Sequence, residues 1–229
     1  MNKMLMIGAL SLTAAGAQTM NMKNAEVRVV HASPDAPAVD VYVDGMRTVA
    51  NAAFKAVTPY GDVPAGKHHV VITVAGDKDK KVIETDVDLK AGTYYTVAAT
   101  GKVADLKLSV FTASGLNMNK GKAQLNVYHL SPGAPNVDVL AVDMGNAKVV
   151  NNLAYGKKST VLVNPMGVNV NVVPSGKMEP VVANLKGISV AGGKSYSVFA
   201  FGIVGEKGAM AFAVVPNEDK VVANSMAAK

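Results

Sequence analysis

Four histidines are the residues of this chain best suited to chemistry, and their placement suggests a metal before a catalyst. Imidazole is the commonest metal ligand, and copper accepts it readily. His31 and His129 stand in two related strings, VVHASPDAP (29–37) and VYHLSPGAP (127–135), 98 residues apart. His68 and His69 are neighbours on a predicted strand, so their side chains face opposite sides and cannot hold one ion together without a bulge. A copper centre would therefore take His31, either His68 or His69, and His129 from the other repeat or from another subunit. Met20 and Met22 add soft thioethers that suit reduced copper. A redox copper with an open position could dismutate superoxide.

The same histidines have a plainer use. By alternation His31 shares a face with Val27 and Val29, and His129 shares one with Leu125 and Val127, so both fall on the apolar phase of a strand. Each stands just before a turn bounded by two prolines, Pro34 and Pro37 or Pro132 and Pro135, which fix φ and remove backbone donors. A buried imidazole there would peg the turn by bonding its backbone groups. At the 101-residue offset of the later segments Asn169 and Val170 stand opposite His68 and His69, which would confine any site there to the first repeat.

Asp40 and Asp138 recur on the polar phase of one strand. With Asp35 and Asp44 they could bind Ca²⁺, but the spacing is not that of a calcium loop, and solvated strand carboxylates or caps to turn amides fit better. GISVAGGKS (187–195) misses the phosphate-loop spacing by one residue and reads as an interstrand turn. No G-x-S-x-G, H-E-x-x-H or C-x-x-C occurs.

The elements that must position these residues are strands. VRVVHASPDAPAVDVYVDG (27–45) aligns with LNVYHLSPGAPNVDVLAVD (125–143), and AGTYYTVAATG with AGGKSYSVFAFG, the offset growing from 98 to 101 as a loop insertion would produce. Val39, Val41 and Val43 alternate with Asp40, Tyr42 and Asp44, and similar runs recur between turn signals. Small and β-branched residues replace aromatics, with no Trp and no Cys in 229 residues. The prediction is all-β: two tandem antiparallel β-sandwiches, Ig-like or Greek-key, of about seven strands each. The first spans 18–113 and the second 125–215, joined by a linker at 114–124 and followed by a polar tail at 216–229.

Lys3, the apolar run Met4–Leu12 and the small-residue site Ala15-Gly16-Ala17 predict a signal peptide at 1–17. Without cysteine there is neither a disulfide nor a lipoprotein anchor, and no later stretch reaches the length of a membrane span. The net charge of +6 is mostly lysine, with only Arg28 and Arg47 as arginines. Lysines lack the bidentate fork that phosphate readout favours, so nucleic acid is not expected as a partner.

VRVVHASPDAPAVDVYVDG, AFKAVTPYGDVPAGKHHVVITVAG and LKAGTYYTVAATG together resemble the DUF4397 family of exported bacterial domains. The second repeat departs at Gly133 and in VNPMGVNVNVV. The resemblance implies a tandem β-domain of the bacterial envelope and supplies no catalytic residue. The leading expectation is a non-catalytic protein of the periplasm or cell envelope that binds an envelope protein, a surface-layer or a cell-wall component, with homo-oligomers left open. The rival is a copper protein of the same compartment with superoxide dismutase-like activity. Polysaccharide binding is weaker, since seven scattered tyrosines make no aromatic platform.

Overall fold

A computed structural model describes residues 23–113, 115 and 119–222. The predicted signal peptide, Met20 and Met22, the middle of the linker and the end of the tail lie outside the described residues. The first repeat forms β1 (Asn24–His31), β2 (Val39–Val43), β3 (Met46–Ala52), β4 (Tyr60–Pro64), β5 (Gly66–Val74), β6 (Asp77–Leu89), β7 (Tyr94–Thr100) and β8 (Lys107–Ala113). The second forms β9 (Ala123–His129), β10 (Val137–Ala141), β11 (Ala147–Leu153), β12 (Lys158–Val163), β13 (Met166–Pro174), β14 (Ala183–Val190), β15 (Ser195–Phe201) and β16 (Ala213–Glu218). A last short strand, β17 (Val221–Val222), follows. β-branched residues and alternating burial make these strands, and positive-φ glycines such as Gly76 and Gly176 turn the chain between them.

Each repeat is a sandwich of two sheets. In the first, β4-β1-β7-β8 faces β3-β2-β5-β6; in the second, β12-β9-β15-β16 faces β11-β10-β13-β14. The predicted all-β tandem sandwich is what forms, with eight strands per repeat among the described residues. Within the eight strands of each repeat, pairing is antiparallel except for β1 with β7 and β9 with β15, which run parallel. In both repeats the chain crosses to the facing sheet before it returns, and such a crossover permits parallel neighbours.

The two sandwiches pack through their inner sheets. Ala25, Val27 and Val29 point into the first core, while Val30, Ala32 and Ala98 pack against Tyr128, Leu130, Phe199 and Phe201 of the second repeat. Strands buried on both faces need no polar phase, which is why all seven residues of β7 are buried. The second sandwich also runs past its expected boundary at 215. β16 continues to Glu218 and Asp219 is buried, so the stretch read as the start of a polar tail is structural. The chain then crosses back, and β17 joins the first sandwich as a fifth strand, parallel to β4.

Candidate functional site

Both opening histidines are turn pegs. His31 Nε2 donates to the Pro37 carbonyl at 3.0 Å, and His129 Nε2 donates to the Pro135 carbonyl at 3.0 Å. With the proton on Nε2, each Nδ1 is a bare acceptor, buried without a hydrogen-bond partner. Burial holds both imidazoles below the usual histidine range, so they are neutral at pH 7. Phe54 stands edge-on to His31 and Tyr155 edge-on to His129.

The paired carboxylates are caps. Asp40 accepts from the Asn51 and Gly76 amides at 2.7 and 3.2 Å, and Asp138 from Asn152 and Gly176 at 2.7 and 3.0 Å. All four donors have positive φ, so each buried aspartate ties together two left-handed turns. The amides of Asn51 and Gly76 pull the Asp40 pKa down. Burial pushes the other way at Asp138, but Lys148 and the turn amides still hold it well below the carboxylate range.

His68 and His69 do face opposite sides. His69 is exposed between Asp86 and Glu84, whose carboxylates raise its pKa. His68 is buried at the end of the first sandwich where β1 begins. Its Nδ1 donates to Asp44 at 2.7 Å and its Nε2 to the Pro64 carbonyl at 2.8 Å. Burial opposes its charge, yet Asp44 and Pro64 raise its pKa. The four histidines do not gather: His31 and His129 sit in the cores of different sandwiches, His68 plugs one end and His69 lies outside. Among the described residues no three His, Asp or Glu side chains form a group that could hold a metal ion.

Strand register corrects the alignment around these residues. Val41 pairs with Ile72 and Val139 with Val172, so β5 and β13 differ by 100 residues. The counterparts of His68 and His69 are therefore Val168 and Asn169. The turn between β2 and β3 also has two residues, Asp44-Gly45, whereas that between β10 and β11 has five, 142–146. Both changes fall at the same end. There the second sandwich opens into a cavity of about 740 Å³ between its sheets. Val127, Val139, Val170, Leu185, Ile188 and Val198 line it, His129 stands at its inner end, and Lys122, Asn164 and Met144 mark its rim. In the first sandwich the corresponding space is filled by buried His68, Val63, Val87, Leu89 and Tyr95.

A family profile described as a domain of unknown function, DUF4397, matches residues 25–140 and again residues 123–228. The chain belongs to the DUF4397 family. No curated protein matches it. Two crystal structures are similar to it, both described as proposed cell adhesion proteins. One, from Parabacteroides distasonis, is 12% identical, covers 88% of this chain and 98% of its own, and has a TM-score of 0.23. The other, from Bacteroides eggerthii, is 10% identical, covers 91% and 99%, and has a TM-score of 0.21. The functional reading rests on this chain's own residues.

The two DUF4397 repeats are locked by a residue that sequence reading counted but did not use. Arg28, on the outward phase of β1, is wholly buried at the interface. It donates to Asp219 at 2.6 Å, Ser197 at 2.6 Å, Thr96 at 2.9 Å and Tyr128 at 3.2 Å, and lies over the Tyr60 ring. Asp219 also accepts from Ser197 and Asn126. A lone arginine inside VRVV was the available signal. Asp219 lies two residues before β17, so the lock sits where the chain crosses between repeats. The edge of β4 that β17 occupies has a counterpart in the second DUF4397 repeat, the outer edge of β12, which pairs with no strand among the described residues.

Proposed function

We propose that this chain is an exported cell-envelope protein that holds another envelope component by strand addition along the free edge of β12. The observation that carries the reading is β17 on β4. Tyr60 N–H donates to the Lys220 carbonyl, and Val221 and Val222 run beside Tyr60 and Gly61. One repeat thus displays the pairing for which the other has an edge left open among the described residues. Ala25 pairs with Val63 and Ala123 with Val163, so Thr160 is the counterpart of Tyr60. Its N–H, and that of Leu162 two residues on, point away from β9. Leu162 is 54% exposed. An edge strand with outward donors and an exposed apolar side chain suits an extended partner segment. Export is supported by the signal-peptide pattern of residues 1–17, and family membership fits the same address.

Fractionation and cross-linking test this together. With a photo-cross-linking phenylalanine analogue in place of Leu162, the expected product is a chain cleaved after Ala17, outside the cytoplasm and joined to one envelope protein. Thr160→Pro removes an outward donor while leaving the β9 pairing, and should abolish the adduct in folded protein. An uncleaved cytoplasmic chain, or an adduct indifferent to Thr160→Pro, would refute the proposal.

A further inference from the structure

We infer that Glu26 and Asp62 form a proton-operated latch at the seam between the repeats: one shared proton keeps β4 on β1, and its loss loosens β4 and the β17 strand that β4 carries. The inference is independent of strand addition at β12. It begins with register. Glu26 and Asp62 are opposed across the antiparallel β1–β4 pair, and Glu26 also stands opposite Tyr94 across the parallel β1–β7 pair. Glu26 shares the outward phase of β1 with Arg28, on the face turned toward the second repeat, and is only 9% exposed. Its Oε2 is buried without a hydrogen-bond partner.

Ionised carboxylates only accept hydrogen bonds, so two carboxyls bonded to each other must hold a proton. Glu26 and Asp62 are such a pair. The next residue on this face of β1 is Arg28, whose guanidinium is taken by Asp219, Ser197, Thr96 and Tyr128. Tyr60 and Tyr94 meet edge-on with ring centres 5.2 Å apart, a contact that crosses β1 between Glu26 and Arg28. Lys23 precedes β1, and Lys220 lies where the chain reaches β4. From the second repeat come Tyr128 and Asp219, both bound to Arg28, and Lys158, which donates to the Thr112 carbonyl. Burial, then the bond to Asp62 and the charge of Asp62, raise the Glu26 pKa to about 7. Burial and the same two carboxyls also raise Tyr94, which stays neutral.

The consequence lies in what β4 holds. One edge pairs with β1 from Asn24–Pro64 to Val27–Gly61, and the other pairs with β17 at Tyr60 and Gly61. Asp219, the partner of Arg28, lies two residues before β17. Deprotonation sets two negative charges against each other inside the β1–β4 pair, where burial leaves little water to screen them. The repulsion acts on β4 and, through it, on the segment that ties the repeats. Because the Glu26 pKa is raised in the fold, its contribution is full below the ordinary 4.5 and is lost as the pH rises to about 7.

Carboxyl carbon NMR and amide hydrogen exchange on the full-length protein between pH 5 and 8.5 test the latch. The Glu26 carboxyl should titrate near neutrality. Exchange, corrected for its intrinsic pH dependence, should quicken ~10-fold or more in β4 and β17, and by less in β5 and β13. Glu26→Gln, which donates to Asp62 without titrating, should remove that change. It should also exceed the wild type at pH 8 by ~10-fold or more in the unfolding equilibrium and match it at pH 5. Asp62→Asn is the second variant should the first fail to fold, and should lower the pH at which Glu26 titrates. A Glu26 carboxyl that titrates below pH 5.5, or one unmoved by Asp62→Asn, would overturn the shared proton. So would wild-type and Glu26→Gln stabilities that run parallel with pH. Exchange that quickens equally in all strands would overturn the latch. Stabilisation at pH 8 by millimolar calcium chloride, lost in Glu26→Gln, would overturn the proton in favour of a bound cation.

Discussion

Val41 and Val139 hold the same register position in the two repeats, yet Val41 is 3% exposed and Val139 borders an open cavity. Around the first, His68, Tyr95, Leu89 and Val63 close the space between the sheets. Around the second, Val168, Tyr196, Val190 and Val163 leave it open. The opening strands, histidine pegs and aspartate caps are nevertheless the same in both. The contrast teaches that the conserved frame of this sandwich is made of polar pegs at its turns, which lets the apolar filling differ between copies. A hollow core still folds when its turns are pinned and one sheet is backed by a neighbouring domain.

The largest expected effect lies in what the two sandwiches share. Arg28→Met would leave Asp219 buried without its cation, and such losses cost ~3–5 kcal/mol. Urea denaturation should show both sandwiches destabilised, because the lock belongs to the interface. Destabilisation of one sandwich alone would show that the two cores are less dependent on each other than this packing requires.

The pegs come next. His31→Ala and His129→Ala should each cost ~1–3 kcal/mol, and by similar amounts, because each leaves a proline carbonyl unsatisfied and removes a buried ring. Burial lowers both pKa values, so the stabilisation they provide is full above ~6.5 and is lost as the pH falls through the folded value. The gap between wild type and either variant should narrow on acidification from pH 7.5 to 5. His69→Ala should behave oppositely. Asp86 and Glu84 raise the His69 pKa, so its contribution is full below ~6.5 and fades as the pH rises through the folded value. Parallel slopes for the pegs and His69 would contradict these environments.

Much of this frame was legible in the chain itself. The doubled histidine-proline string marked the repeats, and alternation placed His31 and His129 on the core phase; the recurrent Asp40 and Asp138 read as solvated carboxylates or as caps, and they are buried caps. Long-range features were not legible. Arg28 meets Asp219 across 191 residues, and no local pattern announces such a partner. β17 is too short for periodicity to detect. The cavity escaped because the 101-residue offset set Asn169 opposite His68, whereas a one-residue shift before β13 puts Val168 there. Substitution of a hydrogen-bonded histidine plug by valine becomes visible only in the register of the sheets.

The matched valines test the difference between the sandwiches most directly. Val41→Ala removes two methyl groups from a filled core and should cost ~2 kcal/mol, transfer and cavity terms together. Val139→Ala enlarges a space already open and should cost ~1 kcal/mol or less. Equilibrium unfolding of the two variants, with Val97→Ala and Val198→Ala as a second matched pair, should show the first-repeat member costlier each time. Equal costs in both pairs would mean that the second sandwich is as tightly filled as the first, and the account of a hollow repeat would be wrong.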